Sequence, residues 1–370
     1  MLVTVEIAAL WMPVRNNPFY LYNSGDMTRH DLPDPRLPFV RTAGLQWEGW
    51  SYGNIGAETP DRSDRRWINF ETDAQGFRNP NTSATADLIF VGDSFTEAGN
   101  VPLEESFATM AADKLRLSAR NLGICGLCPP EEAVVLECFG LPCRPKVIVW
   151  QIYEGNDLPE SWRYQEWAKL GYPPKERQGT SSQEQWSVTH MIYRQFVSRE
   201  RLWLSGQFKT STSETIDVRF DLTNPENTLP FLYDEWGSVK STHPGWSPLT
   251  SAIRDGHRLL GNSESQLVLL FIPTKNHVMD RFVTLDDFSR QRTTSLWPVP
   301  DDHLMAGHLR KFCNELSVPF IDATDAMIEA ASKGQLVFLP TDTHLSPLGN
   351  EVVCDVLVKE ITELTAQTKQ

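Results

Sequence analysis

Short apolar runs recur along the chain from residue 87 onward, with longer mixed segments between them. They cover residues 88–91, the residues leading to Asn121, and residues 146–153, 266–272 and 319–321. The third run, KVIVWQIY, has the unbroken hydrophobicity typical of a strand buried on both faces. The pattern predicts five strands of one parallel sheet.

Helical patterns lie between the predicted strands. After the first strand, apolar residues spaced i, i+3, i+4 and i+8 predict an amphipathic helix: Phe107, Met110, Ala111 and Leu115. Glu104 and Glu105 are predicted in its first turn, where the helix dipole favours acids. Residues 130–139 are predicted as the next helix. This alternation of strand and helix predicts a doubly wound α/β fold with right-handed crossovers.

Residues 158–247 form an unusually long stretch between the third and fourth predicted strands. Connections in compact domains usually take a handful of residues, so this stretch is predicted to be an insertion with its own structure or a lid. Six of the twelve tryptophans lie in it: Trp162, Trp167, Trp186, Trp203, Trp236 and Trp246. A core of the insertion is the favoured use of these rings, because large aromatics dominate burial. A platform for sugar faces is the alternative.

Residues 1–86 are predicted to be a lead-in to an α/β domain at residues 87–366. The segment from residue 17 is rich in Asn, Pro, Asp and Arg and has few long apolar runs, so it is predicted to wrap the core in extended form. Gly76-Phe77-Arg78 is predicted to be a turn with Phe77 packed inward. Residues 2–12 are mostly apolar but too short to span a bilayer, and one interpretation is a core helix.

Composition narrows the classes of function. With 370 residues, 40% hydrophobic and 22% charged, the chain is typical of a globular protein, and one elaborated domain is favoured over two. The formal net charge of −14 argues against a nucleic-acid partner, because binding to phosphate backbones relies on clustered Lys and Arg.

The cysteines predict neither a disulfide scaffold nor a metal site. There are six: Cys125, Cys128, Cys138, Cys143, Cys313 and Cys354. No second Cys-x-x-Cys or Cys/His pair completes a zinc site. Small buried hydrophobic residues, or one disulfide, are the two interpretations left open.

A candidate nucleophile follows the first predicted strand. Gly92-Asp93-Ser94 lies at its carboxyl end, where catalytic groups collect in an open parallel sheet. A glycine before the serine permits a sharp turn that presents the hydroxyl to a crevice. The alternative is an ordinary turn in which Asp93 and Ser94 cap the following helix.

A serine hydroxyl needs a base, an orienting acid and donors for the developing oxyanion. His344 is the candidate base and Asp342 the candidate acid, although Asp342 could instead only cap a turn. Ser346-Pro347 follows as an N-cap and first helical residue. A predicted helix with an apolar stripe would therefore hold the loop that carries His344.

Four sequence blocks occur in a fixed order: Gly92-Asp93-Ser94, Asn121 to Gly126, Gly155-Asn156-Asp157, and Asp342-x-His344. In this order they resemble the SGNH (GDSL-type) hydrolase family. The Asp-x-His spacing resembles the branch that includes the alginate O-acetyltransferase-like proteins, since many simpler members place the acid three residues before the histidine. The resemblance implies a three-layer α/β/α flavodoxin-like sandwich with a parallel five-stranded sheet, interrupted by the long insertion.

The resemblance also implies roles for individual residues. Ser94 would be the nucleophile, His344 the base and Asp342 the residue that orients the imidazole. The oxyanion would be bound by the amides of Ser94 and Gly126 and by the side chain of Asn156. Gly123 is the alternative to Gly126, because residues 127–130 depart from the simple esterase pattern. The resemblance implies no cofactor and no metal.

By this resemblance we expect a serine-dependent esterase that removes a short O-acyl group, such as acetyl, from a small-molecule or carbohydrate ester. O-Acyl transfer to a polysaccharide and non-catalytic carbohydrate binding are the alternatives. In membrane-tethered relatives the catalytic domain follows a hydrophobic helix, and residues 1–16 resemble the end of such an anchor. The resemblance favours the cell envelope or periplasm, whereas a complete chain would favour the cytoplasm. The oligomeric state stays open.

Overall fold

A computed structural model describes residues 27–32, 34–51, 66–80, 82–173, 215–220, 228–232, 242–261, 263, 265–279, 282–284, 304–340 and 342–367. The interpretations of residues 1–16 and of Trp186, Trp203 and Trp236 lie outside these residues. None of the described helices is both long and apolar enough to span a lipid bilayer.

The strands and helices alternate along most of the described chain. The strands are β1 (Thr28–Arg29), β2 (Val40–Arg41), β3 (Gln46–Ser51), β4 (Arg66–Glu71), β5 (Leu88–Val91), β6 (Ala119–Asn121), β7 (Val147–Tyr153), β8 (Thr215–Phe220), β9 (Thr228–Leu232), β10 (Gln266–Ile272), β11 (Val283–Thr284) and β12 (Phe320–Asp322). The helices are α1 (Ser94–Glu97), α2 (Phe107–Leu115), α3 (Pro129–Val135), α4 (Asp157–Lys169), α5 (Trp246–Leu260), α6 (Lys275–Met279), α7 (Leu304–Leu316), α8 (Thr324–Ser332) and α9 (Pro347–Gln367).

Five strands form the central sheet in the order β6-β5-β7-β10-β12, and every neighbouring pair is parallel. The predicted five-stranded parallel sheet is therefore confirmed. The last strand is displaced by one residue from its predicted position and covers Phe320–Asp322. Counted along the chain, the order is the second, first, third, fourth and fifth strand of the sheet, which is the flavodoxin-like arrangement.

Alternate residues of β5 enter two separate cores, as a strand covered on both faces requires. Leu88 and Phe90 belong to the core that α2, α8 and α9 cover, and Ile89 and Val91 to the core that α3, α5 and α7 cover. The molecule thus has the predicted three layers, with helices on both faces of the sheet.

The predicted amphipathic helix is α2, and it begins later than predicted. Ser106 is its N-cap, and the Ser106 side chain accepts a hydrogen bond from the Thr109 amide. Glu104 and Glu105 belong to a separate 3₁₀ turn at Leu103–Glu105, so their predicted place in the first turn of the helix is wrong. The helix starts after Ser106 because the Ser106 hydroxyl accepts a hydrogen bond from a first-turn amide that has no acceptor within the helix. The predicted helix at residues 130–139 is α3 followed by a π-helical turn at Leu136–Gly140.

The described part of the lead-in contains two antiparallel pairs, β1 with β2 and β3 with β4. Phe77 is fully buried, which confirms the turn with an inward phenylalanine. Gly76 has φ +92°, and a Cβ there would lie 2.1 Å from the Arg41 carbonyl oxygen, so only glycine fits this turn. The division of the chain into a lead-in and an interrupted domain stays a prediction.

All six cysteines lie in the described part of the chain and all are free, so they form no disulfide. Four of them are buried as small hydrophobic residues: Cys128, Cys143, Cys313 and Cys354. Among the described residues, no group of three or more His, Cys, Asp or Glu is placed to hold a metal ion.

Candidate active site

Ser94 lies at the carboxyl end of β5, where the chain order of the sheet reverses between β5 and β7. Open α/β sheets bind ligands at this position. Asp93 is the N-cap of α1 and accepts a hydrogen bond of 2.9 Å from the Phe95 amide. Gly92 is required, because a Cβ would lie 2.3 Å from Thr96 Oγ1 and 2.4 Å from Gln151 Oε1. The turn therefore fixes Ser94 as the first residue of a short helix.

His344 contacts Ser94 although 250 residues separate them in sequence. Ser94 Oγ is 2.7 Å from His344 Nε2, and His344 Nδ1 is 2.6 Å from Asp342 Oδ1. The structure thus brings the three predicted side chains into one hydrogen-bonded chain. Because Nδ1 faces a carboxylate, its proton stays on that nitrogen and Nε2 can accept the Ser94 proton.

Both oxygens of Asp342 are bound. Oδ1 accepts from the backbone amide and from Nδ1 of His344, and Oδ2 accepts from Asn100 Nδ2 at 2.7 Å. Burial pushes the pKa of Asp342 upward, but the charge and hydrogen bonds of His344 and the hydrogen bond from Asn100 outweigh it. The pKa of Asp342 therefore lies below its usual value, and the acid stays ionised beside the imidazole.

A buried lysine holds the loop that carries Asp342. Lys275 Nζ donates to the carbonyl oxygens of Leu339, Pro340 and Asp342 at 3.0, 2.7 and 3.3 Å. On the other side of His344, Ser346 Oγ accepts from the Gly349 amide at 3.0 Å, so the predicted helix start at Ser346-Pro347 is confirmed. Both ends of the loop are thus attached to rigid elements.

The loop after β6 supplies the candidate backbone donor. Most of its amides are committed to acceptors within the protein: those of Gly123, Ile124, Cys125, Leu127 and Cys128. In the described part of the chain the Gly126 amide donates to no acceptor, and neither does the Ser94 amide at the start of α1. Gly123 donates to Asn121 Oδ1 at 2.8 Å. This arrangement favours Gly126 over Gly123 as the oxyanion donor.

Asn156 lies at the amino-terminal end of α4, directly after β7 and one strand away from Ser94. Its Oδ1 is buried and has no partner among the described residues. The structure records no contact between Asn156 and Ser94 or His344, so its role as an oxyanion donor stays a prediction.

Three buried carboxyl groups adjoin the site: Asp93 beside Ser94, Asp157 beside Asn156, and Glu132 on α3. One oxygen of each accepts a hydrogen bond, from the Phe95 amide, the Tyr153 amide and Trp150 Nε1 respectively. The other oxygen has no partner among the described residues.

Burial sets the protonation of these three groups. It raises the pKa of Asp93 to about 6. Burial and the negative charge of the neighbouring acids raise the pKa of Glu132 and Asp157 well above their usual values. These groups therefore hold protons that ordinary carboxyl groups would lose.

Several residues of the site were not predicted from the sequence. Asn100 lies in the same stretch as Ser94, and no motif distinguishes it from a loop asparagine. Lys275 follows β10, the fourth strand of the sheet, at the end where polar residues of a site collect. Glu132 gave no signal in the sequence, and Asp157 belongs to the Gly155-Asn156-Asp157 block, whose pattern did not indicate that the acid is buried.

Neither the protein-family models nor the curated proteins include a match to this chain. Three solved structures that it resembles are an acetyl xylan esterase, a catalytic mutant of an acetylxylan esterase from Geobacillus stearothermophilus, and an alpha/beta hydrolase from the metagenome of Lake Arreo, Spain. Their identities to this chain are 14%, 12% and 12%, and their TM-scores are 0.38, 0.38 and 0.36. The alignments cover 74%, 76% and 75% of this chain and 98%, 95% and 95% of theirs.

The chain's own sheet order is flavodoxin-like, and its Ser, Gly and Asn blocks follow β5, β6 and β7 at one edge of the sheet. The Asp-x-His block joins them through the contact of His344 with Ser94. The chain therefore has the three-layer, flavodoxin-like fold that its sequence resemblance to the SGNH hydrolases implies.

Proposed function

We propose that the protein is a serine-dependent esterase that works through an acyl-serine intermediate. The observation that carries the proposal is the hydrogen-bonded chain from Ser94 through His344 to Asp342, with contacts of 2.7 and 2.6 Å. Its position at the reversal of strand order is where an open α/β sheet binds its ligand. A base within direct reach of the hydroxyl is the geometric requirement for nucleophilic activation.

In the first half of the reaction, Ser94 Oγ forms a bond to the carbonyl carbon of the ester while His344 Nε2 takes its proton. The carbonyl oxygen becomes an oxyanion, which the amides of Ser94 and Gly126 stabilise. The bond to the alcohol oxygen then breaks, and His344 returns the proton to that oxygen. In the second half, water gives a proton to His344 Nε2 and bonds to the acyl carbon. The bond from that carbon to Ser94 Oγ then breaks, His344 returns the proton to Oγ, and the acid leaves.

The space around the nucleophile supports a short acyl group. A cavity beside Ser94, lined by Phe95, Val101, His344 and Leu345 among others, has a volume of about 10 Å³. This volume is the lower limit for a cavity that holds one water molecule. We therefore expect the cavity to take no more than the methyl end of a short acyl group.

An aromatic side chain near the site supports a carbohydrate ester. Trp162 lies on α4, six residues after Asn156, and is 40% exposed. Six residues advance a helix by about 9 Å along its axis, so Trp162 lies in the first two turns of the helix that begins beside Asn156. Exposed indole rings stack on apolar sugar faces, so the substrate we propose is a short O-acyl group on a carbohydrate.

Transfer of the acyl group to a sugar hydroxyl is the second candidate, because it shares the acyl-serine half-reaction. Trp162 would then orient the accepting sugar. Incubation of an acyl donor with an oligosaccharide, followed by mass spectrometry, separates the two reactions. Free acid alone supports the esterase, and an oligosaccharide heavier by one acyl group supports the transferase.

The test of the proposal is turnover of p-nitrophenyl acetate together with labelling by a fluorophosphonate probe. We expect Ser94→Ala to abolish labelling and to lower kcat by on the order of a millionfold, as loss of a triad serine does. The matched control is Ser332→Ala, at an exposed serine at the end of α8. Absence of turnover and labelling in the unmutated protein would contradict the esterase. Glycan binding that persists in Ser94→Ala without any ester cleavage would favour a non-catalytic carbohydrate-binding protein.

A further inference from the structure

We infer that Glu97 is a positioning residue for the proposed oxyanion donor Gly126, and that Arg41 of the amino-terminal segment holds Glu97 in place. The inference rests on the proposed function, because it concerns the geometry of the same site. It assigns part of the catalytic arrangement to residues that precede the α/β domain in sequence.

Glu97 connects the helix of the nucleophile to the loop of the donor. It lies three residues after Ser94, at the end of α1, and is fully buried. Its Oε2 accepts a hydrogen bond of 3.1 Å from the Cys125 amide. Cys125 directly precedes Gly126, so this contact is the last fixed point of the backbone before the free Gly126 amide.

The rest of the loop is packed closely on α1 and β5. Asn121 Nδ2 donates to the Thr96 carbonyl oxygen at 2.6 Å, and the Ile124 amide donates to the Gly92 carbonyl oxygen at 3.1 Å. A Cβ on Gly123 would lie 2.5 Å from the Glu97 nitrogen. The loop therefore follows the backbone of α1, and the Cys125 contact sets where its tip lies relative to Ser94.

Arg41 provides the charge that the buried carboxylate needs. Its Nε lies 2.7 Å from Glu97 Oε1 and its second terminal nitrogen 2.7 Å from Glu97 Oε2. The Arg41 side chain is 3% exposed and that of Glu97 is fully buried. An isolated buried carboxylate is strongly unfavourable, whereas a two-point Arg–carboxylate pair fixes both groups in orientation. Arg41 therefore determines the direction in which Glu97 presents Oε2 to Cys125.

A second arginine of the same segment holds the end of α1. Arg78 is buried and donates to the carbonyl oxygens of Glu97, Ala98 and Val101. The last carbonyl groups of a helix have no partner within the helix, and α1 is a single turn. Arg78 thus binds the carbonyl groups at the end of α1, the helix that carries Glu97. The Gly76-Phe77-Arg78 turn therefore places the arginine that stabilises this helix end.

The experiment compares two double variants that both remove the buried charges. Arg41→Met/Glu97→Gln keeps a side-chain oxygen that can accept from the Cys125 amide, whereas Arg41→Met/Glu97→Met removes it. Replacing both members of a buried ion pair by uncharged side chains of similar volume is often neutral for stability, so both proteins are expected to fold. Arg36→Met is the control for an exposed Arg–carboxylate pair of the same segment.

Three quantities are measured for each protein: kcat on p-nitrophenyl acetate, the pH at the midpoint of the kcat profile, and hydrogen exchange of the Cys125 amide. We expect Arg41→Met/Glu97→Met to lose about tenfold to a hundredfold in kcat, as a displacement of about 1 Å in a catalytic group does. Its Cys125 amide should exchange faster. The midpoint should not move, because His344 and Asp342 are untouched. The Gln variant should lose less in kcat and keep slower Cys125 exchange than the Met variant, because its side-chain oxygen can still accept from the Cys125 amide. Arg36→Met should match the unmutated protein.

Equal kcat and equal exchange in the two double variants would overturn the inference, since the pair would then contribute to stability alone. Where a double variant does not fold, Arg41→Lys carries the test, because it keeps the charge and loses the two-point contact. Faster Cys125 exchange with lower kcat supports the inference, and unchanged values of both refute it. If the unmutated protein cleaves no ester, the proposed function fails, and hydrogen exchange alone decides whether Glu97 positions the loop.

Discussion

At the scale of single residues, the acid of the site is more constrained than the nucleophile. Asp342 uses one oxygen for His344 and the other for Asn100. A carboxylate bound at both oxygens cannot rotate, so the plane of the acid and the orientation of the imidazole are fixed together. Asn100 is thus the buried residue whose hydrogen bond orients Asp342 for its proposed role.

We expect Asn100→Ala to lower kcat by about tenfold with KM little changed. The variant leaves Asp342 Oδ2 without its donor, and a hydrogen bond to a charged group contributes about 1.5–3 kcal/mol. Steady-state kinetics on p-nitrophenyl acetate measure the effect. Asn314→Ala, at an exposed asparagine of α7, is the control. Equal kcat in the two variants would show that His344 alone holds Asp342.

The sequence predicted the proposed catalytic residues better than the residues that hold them in place. Ser94, Asp342 and His344 were predicted because nucleophilic catalysis needs those three side-chain types in particular sequence contexts. Asn100 contacts a residue 242 positions away, and Lys275 contacts one 67 positions away. An asparagine or lysine that binds a distant backbone or carboxylate has no local pattern, so only the fold identifies it.

At the scale of secondary-structure elements, the ends of β5, α3 and α4 bring acids together rather than separating them. The negative charge of Asp93 raises the pKa of Glu132 and of Asp157, and that of Glu132 raises the pKa of Asp157, in addition to the effect of burial. Apolar runs predicted the strands correctly, because continuous burial requires continuous hydrophobicity. The same rule could not identify buried acids, whose burial is an exception to it.

These acids predict a pH dependence of stability. A carboxyl group with a raised pKa in the folded protein binds its proton more tightly there than in the unfolded chain. Its stabilising contribution is therefore present below the unfolded pKa of about 4 and is lost as pH rises toward the folded pKa. For Asp93 this window runs from its usual value of 3.8 to about 6, and for Glu132 and Asp157 it extends higher.

We expect the Tm of the protein to fall between about pH 5 and about pH 8, and Glu132→Gln to reduce that fall. The glutamine oxygen can still accept from Trp150 Nε1, while the charge that must otherwise form on Glu132 is gone. Thermal unfolding followed by circular dichroism across this pH range measures the difference. Glu329→Gln, an exposed acid paired with Lys333, should follow the unmutated protein. Parallel curves for all three proteins would mean that Glu132 is already ionised.

At the scale of the whole molecule, the position of His344 depends on how α9 docks on the rest of the fold. Asn350 on α9 accepts from the Phe107 amide at 3.0 Å, which joins α9 to the first residue of α2. The Ser346 amide donates to the Val337 carbonyl oxygen at 3.0 Å. These contacts fix the beginning of α9 against α2, the helix that follows Ser94. The two halves of the triad are therefore aligned by the packing of two helices on one face of the sheet.

Gly349→Ala tests this dependence, because Gly349 packs directly against Val337, in the chain before the histidine loop. A Cβ at this position would lie 1.8 Å from the Val337 carbonyl oxygen, so the first turn of α9 must move away. We expect a loss of about 1–3 kcal/mol in stability, the usual cost of overpacking, together with a lower kcat. Thermal unfolding and turnover of p-nitrophenyl acetate measure the two effects. Gly307→Ala on α7 is the matched control, since among the described residues no atom outside the helix backbone lies within 4 Å of a Cβ there, and it should raise stability by about 0.5–1 kcal/mol without changing kcat. A Gly349→Ala protein that is destabilised but retains full kcat would show that the loop between Asp342 and Ser346 places His344 independently of α9.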